Sequence, residues 1–151
     1  MNLSSNSSKL TQDKFLFLVE TSDYMEFIIN LYGNSENPVV EIHGKKYSIN
    51  ELYKEGPLYA FLLSIPHCII TMFEHLAKKE GIQVKVCKVR STYYLNDSLL
   101  LLGKYAIKNI KIEIYGDCSK EELNELVEKV KQNCPIYLSL SDKIQLLPYV
   151  D

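Results

Sequence analysis

Arginine is almost missing from this chain. Arg90 is the only one among seventeen basic residues, the rest being Lys, so the rigid two-point grip of a guanidinium on a thiolate or oxyanion is available from a single position. An excess of charge is missing as well. Lys and Arg are spread among nineteen acidic residues for a net charge of -2, which leaves no electrostatic footprint for nucleic acid or an anionic membrane. The four cysteines, at 68, 87, 118 and 134, show neither the CxxC spacing of a zinc site nor the density of a secreted disulfide scaffold. A zinc centre built from them with His43, His67 and His75 would need ligands to converge with no local pair, so free thiols in a reducing cytosol are the expectation. The opening MNLSSNSSK lacks the basic-then-apolar order of a signal peptide. It reads as a frayed leader over 1–12, ahead of one domain at 13–151, in a cytoplasmic protein. The apolar run from Leu58 to Phe73 is sixteen residues long and holds Ser64, Pro66 and His67, too short and too interrupted for a membrane span.

What is present is the composition of an ordinary globular protein: 46% hydrophobic and 24% charged over 151 residues, enough chain for one domain with its own core. Lys14 to Glu20 and Tyr24 to Tyr32 read as strands of a hairpin, and Val39 to Ile42 and Lys46 to Ile49 as a second hairpin around His43-Gly44-Lys45. Gly56-Pro57 starts a helix, since the first turn is where proline's missing N–H has no partner to lose. Its apolar positions cover almost the whole circumference as far as Glu74, and Gly81 stops it near Lys79, so it is a buried central helix. Val84 to Leu95 and Ala106 to Tyr115 return to strand character, Ile110, Ile112 and Ile114 alternating with charges. The four leucines Leu99 to Leu102 form a run that a monomer surface rarely leaves uncovered, and a partner subunit is expected there. Ser119-Lys-Glu-Glu122 is a capping box that opens an amphipathic helix over Lys120 to Gln132. Pro135 ends it at Cys134 and suits the first turn of a short helix, Ile136 to Leu140, before a final strand at Lys143 to Val150.

The chemistry rests on Cys68 and Cys134. Cys68 lies inside the buried helix, where a thiol is either a small hydrophobe or a protected nucleophile. At an ordinary pKa only roughly 3% of a thiol is ionised at pH 7, and burial lowers that fraction further, so a reactive Cys68 needs a positive or hydrogen-bonding neighbour. His75 shares its side of the helix but lies about 10 Å along it, and His67 points about 100° away. Lys45 and His43 of the strand region are further candidates. Pro66 cannot donate to the carbonyl of Leu62, which either opens a pocket beside Cys68 or simply eases packing. Cys134 stands at the end of one helix, where a thiol pKa is raised, and at the start of the next, where it is lowered. Cys87 and Cys118 lack such surroundings and read as structural.

Three segments carry a resemblance: GPLYAFLLSIPHCIITMFEHLAKKEGI at 56 to 82, Gly-Asp-x-Ser-x-Glu-Glu-Leu at 116 to 123, and NCPIYLSLSD at 133 to 142. In this order, with Cys68 and Cys134 separated by 66 positions, the chain resembles the OsmC/Ohr family of osmotically inducible and organic hydroperoxide resistance proteins. The resemblance implies an α+β fold with an antiparallel strand meander, a long buried central helix, further strands and a C-terminal helix pair, intertwined as a homodimer. It implies a peroxidase in which Cys68 attacks a hydroperoxide, Cys134 resolves the sulfenic acid, and a dithiol reductant recycles the disulfide, with no metal, flavin or haem. Two positions depart from the family pattern. Its peroxidases carry a Glu ten residues before the first cysteine, where this chain has Leu58, and an Arg in the early strands, whereas no Arg precedes Arg90. The alternative implied by those departures is a protein of the same fold that binds a small apolar ligand or partner without efficient peroxide turnover.

Overall fold

The computed structural model describes residues 26–151. The expected leader and the strand at Lys14 to Glu20 lie outside the described residues. Along the chain run β1 (Glu26–Tyr32), β2 (Val39–Ile42), β3 (Lys45–Ser48), α1 (Ile49–Tyr53), α2 (Pro57–Glu80), β4 (Val86–Leu95), α3 (Asp97–Leu101), β5 (Ile107–Gly116), α4 (Lys120–Asn133), α5 (Pro135–Ser139) and β6 (Ile144–Val150). The strands form one sheet in the order β3-β2-β1-β4-β5-β6. Neighbours are antiparallel except β5 and β6, which are joined through α4 and α5, and only a crossover of that length returns a strand in parallel.

One face of the sheet makes the core. Phe27, Ile29 and Leu31 of β1 and Ile110, Ile112 and Ile114 of β5 are buried and alternate with less buried neighbours, as period-two side-chain direction requires. α2 lies with them, burying Leu62, Leu63, Ile65, Ile69, Ile70 and Phe73. Its length and apolarity would suit a membrane span, but half of the relevant window is buried within the fold, as in a core helix. Pro57 occupies the first turn, and Gly81 closes the helix at φ 69°. The N–H of Gly81 reaches Lys78 O and that of Ile82 reaches Ala77 O at 2.9 Å, the paired reverse bonds that a left-handed glycine allows.

Pro66 leaves the Leu62 carbonyl without its helical donor. The Tyr93 hydroxyl from β4 donates to that carbonyl. Burial holds the Tyr93 pKa far above the phenol range, so the hydroxyl stays a donor. Phe27, its cross-strand neighbour, stacks on the ring at a centroid distance of 4.8 Å. The freed carbonyl is thus satisfied inside the core instead of lining a pocket. Replacing Tyr93 with Phe removes only that donor and strands a buried carbonyl. We expect a loss of about 1–3 kcal/mol, read as a lower denaturant midpoint at unchanged slope; an unchanged midpoint would show that Leu62 O finds another donor.

Two short helices separate the structure from the sequence expectation. The strand expected to end at Ile49 stops at Ser48, and α1 follows, burying Ile49 and Leu52. In α3 the Asn96 side chain caps the Leu99 N–H at 3.1 Å, while Leu101 and the following Leu102 remain 85% and 72% exposed.

Candidate functional site

α2 and the α4–α5 junction bring the two expected cysteines together. At the start of α4 the Ser119 hydroxyl accepts from the Glu122 N–H at 3.2 Å, and Leu123, Leu126, Val127 and Val130 pack into the core. This fixes where the helix ends. Pro135 forces Cys134 out of the helical region, to φ -76° and ψ 117°, yet its N–H still caps Val130 O at 2.8 Å. Cys134 is fully buried, and its Sγ lies 3.9 Å from Cys68 Sγ. A disulfide needs sulfurs about 2 Å apart, so oxidation would close this gap with a small side-chain movement.

Cys68 is half-buried. Burial, then the neighbouring Cys134, push its pKa up, and a backbone N–H from Ile136 pulls the other way. Ile136 is in the first turn of α5, where N–H groups have no helical acceptor. The start of this helix, expected from sequence to act on Cys134, therefore turns one donor toward Cys68.

The family-pattern departures have clear places. Leu58 packs half-buried against the core. Arg90 lies three residues before Tyr93 on β4; strand alternation puts it on the sheet face opposite α2, beside Asn30 and Glu113 on the adjacent strands. The sole guanidinium is thus on the other side of the sheet from the face that packs on α2. His75 is exposed, and His43 and Lys45 are exposed around the β2–β3 turn. Cys87 and Cys118 stay free thiols. Among the described residues no three His, Cys, Asp or Glu side chains gather to hold a metal ion.

Sequence reasoning missed a polar chain around His67, the residue before Cys68 on α2. The Tyr53 hydroxyl meets His67 Nδ1 at 2.6 Å, and His67 Nε2 meets Ser35 O at 2.6 Å. Ser35 is held in turn by Glu74, whose carboxylate accepts from the Ser35 N–H at 3.0 Å and from the Ser35 hydroxyl. His67 and Glu74 are seven residues apart on α2, hence on one side of it. Nothing in the local pattern announces Tyr53, because it belongs to the unanticipated α1.

The family model described as OsmC-like protein matches residues 55–146. The chain has no match among curated proteins. Among solved structures it is similar to an OsmC-like hydroperoxide resistance protein from a Jannaschia species, at 17% identity and a TM-score of 0.52 over 78% of this chain and 87% of that one. It is also similar to the organic hydroperoxide resistance protein OhrB of Bacillus subtilis, at 15% identity and a TM-score of 0.46 over 85% of this chain and 98% of that one. An OsmC-like protein from Mycoplasma pneumoniae matches at 17% identity and a TM-score of 0.42, over 86% of this chain and 98% of that one. At 17% identity the likeness to the Jannaschia protein speaks for the fold alone.

Proposed function

Because the chain belongs to the OsmC-like protein family, we propose that it is a thiol-dependent peroxidase that reduces hydroperoxides, organic ones foremost, through Cys68 and Cys134. The observation that carries this reading is the 3.9 Å separation of the two sulfurs. In the first step the Cys68 thiolate attacks an oxygen of the hydroperoxide, the O–O bond breaks, and the alcohol leaves with a proton, giving Cys68 sulfenic acid. Cys134 sulfur then attacks Cys68 sulfur, water leaves, and a disulfide forms. Two thiols and one hydroperoxide yield one disulfide, one alcohol and one water. A cellular dithiol restores both thiols by exchange. The raised pKa of Cys68 in the resting chain means that little thiolate is present at neutral pH without further help. Cumene hydroperoxide added in slight excess to the reduced protein, with no other thiol present, should remove two titratable thiols per chain and leave Cys87 and Cys118. Retention of all four would refute the reading.

The homodimer belongs to the same proposal. Leu101 and Leu102 at the end of α3, with Phe61 on α2 at 51% exposure and Leu138 on α5 at 54%, supply the apolar surface that a second copy of the chain would cover. The protein should run as a dimer in light scattering, and Leu101→Glu with Leu102→Glu should shift it toward monomer; a monomeric parent contradicts this part. The cell compartment in keeping with reduced thiols is the cytoplasm.

Leu58 in place of a carboxylate favours a second reading, an apolar-ligand binder of the same fold with idle thiols. Saturable binding of an apolar probe by a Cys68→Ser, Cys134→Ser double variant, together with no peroxide turnover in the parent, would select it.

A further inference from the structure

The Cys68 and Cys134 sulfurs rest too far apart to be bonded and close enough to share one bonded neighbour. They stand 3.9 Å apart, about twice the length of a disulfide bond. A bond from a thiolate sulfur to a heavy atom such as zinc is about 2.3 Å long, so two such bonds meeting at roughly 100–110° hold their sulfurs about 3.5–3.8 Å apart. A linear centre with the same bonds would need about 4.6 Å. The resting pair therefore matches a single bridging atom of bent geometry more closely than it matches either a disulfide or a linear ion.

The spacing is set by backbone that is already fixed. Cys68 lies inside the long helix α2. Cys134 is pinned on both sides, its N–H donating to Val130 O at 2.8 Å and its carbonyl accepting from the Leu138 N–H at 2.9 Å. A one-atom bridge leaves both sulfurs close to where they rest, and donors that need little further ordering bind more tightly.

The surroundings select among the atoms that thiols favour. A tetrahedral ion wants four ligands, yet among the described residues no third His, Cys, Asp or Glu joins the pair. His67, next to Cys68 on α2, has both ring nitrogens engaged, Nδ1 with the Tyr53 hydroxyl and Nε2 with Ser35 O. A linear ion such as Hg(II) or Cu(I) would have to spread the sulfurs, one of which is fully buried in the core, where packing resists displacement. Two thiolates on Cu(I) would also leave a buried negative charge, which burial penalises; burial, then Cys134, already push the Cys68 pKa up. Trivalent arsenic meets these conditions together. It is soft, bonds in a three-cornered pyramid, and with two thiolates and one oxygen or carbon it carries no net charge.

We propose that reduced Cys68 and Cys134 form a binding site for trivalent arsenic, taken as arsenous acid or a monosubstituted arsenical, which bridges the two sulfurs. The inference uses the same sulfurs as the peroxidase reading and does not depend on that reading. With arsenous acid, two As–O bonds break and two As–S bonds form, and the two hydroxyls leave as water with the two thiol protons. Arsenic stays trivalent and the sulfurs keep their oxidation state, so no co-reactant is needed. The third bond of arsenic leaves on the side of Cys68, which is half-buried, because Cys134 has no exposed surface. An occupied pair has no thiol to offer a hydroperoxide.

Phenylarsine oxide tests the site without peroxide. One equivalent is added to the reduced protein, intact mass is recorded, and the remaining free thiols are alkylated and mapped by peptide. The parent should gain one phenylarsenic group in exchange for two hydrogens, the oxide oxygen leaving as water, and only Cys87 and Cys118 should stay alkylatable. Glutathione, a monothiol, should leave the adduct in place, and a small dithiol should remove it. Cys68→Ser and Cys134→Ala should each bind the reagent roughly 10²–10⁴-fold more weakly, the factor that a tethered second ligand supplies. Circular dichroism should show both variants folded; should Cys134→Ala fail to fold, Cys68→Ser decides alone. A parent that keeps all four thiols alkylatable, or a folded Cys68→Ser protein that binds as tightly as the parent, overturns the site. A parent that takes up phenylarsenic but consumes no hydroperoxide refutes the peroxidase reading and leaves the arsenic site standing. One that forms the Cys68–Cys134 disulfide with hydroperoxide yet takes up no phenylarsenic does the reverse.

Discussion

Replacing Cys68 with Ser should reduce hydroperoxide consumption to the level of the buffer, an expected fall of roughly two orders of magnitude or more, as removal of a covalent nucleophile gives in other enzymes. The change is small in volume and falls on a half-buried helical position, so the fold should be retained and the expected loss would belong to the sulfur. Consumption with an added dithiol is the measurement. Wild-type consumption by Cys68→Ser would remove this residue from the reaction and the proposed chemistry with it. Cys87→Ser, as a control, should leave consumption unchanged, since that sulfur meets the Lys85 carbonyl at 3.8 Å and the Asp151 carboxylate, and neither Cys68 nor Cys134.

Oxidation of the parent should raise its stability by about 4 kcal/mol, the chain-entropy value for closing a loop between positions 66 apart. The bridge would pin α2 to the start of α5, two elements that already touch. Denaturant midpoints of the reduced and hydroperoxide-treated protein give the difference directly. Cys134→Ala is the control with the opposite chemistry. Its Cys68 gains one oxygen instead of losing hydrogen, proceeds to sulfinic acid with more peroxide, and shows no gain in stability. A Cys134→Ala protein that is stabilised by peroxide as the parent is would place the cross-link elsewhere.

The parts of this site legible in the sequence are those with a strong local signature. The Gly-Pro start and Gly81 stop of α2, the capping box of α4, and the Cys-Pro step that ends it each arise from backbone chemistry within a few residues, and together they carry Cys68 and Cys134 to the same place. Ile110, Ile112 and Ile114 likewise declare the buried face of β5. The polar chain could not be read in that way. α1 is five residues long and offers a single apolar pair, Ile49 and Leu52, which a strand ending at Ile49 absorbs equally well. With α1 unseen, Tyr53 had no reason to stand beside His67, and Ser35 lies 32 residues from the imidazole that it anchors. Tyr93 is a similar case, since a proline announces that a carbonyl has lost its donor but not which residue of a distant strand replaces it. Arg90 shows the converse: its strand was expected, and alternation along that strand is what sets it on the face away from α2.

These placements shift the question from whether Cys68 lies near a resolving thiol to whether the pair reacts as one. The most direct measurement is a non-reducing peptide map of the protein after one equivalent of cumene hydroperoxide, with intact mass recorded first. The account predicts prompt loss of two hydrogens and a single cross-linked species joining the Cys68 and Cys134 peptides. An unchanged mass, or oxygen added at Cys87 or Cys118 while Cys68 and Cys134 remain alkylatable, would contradict it.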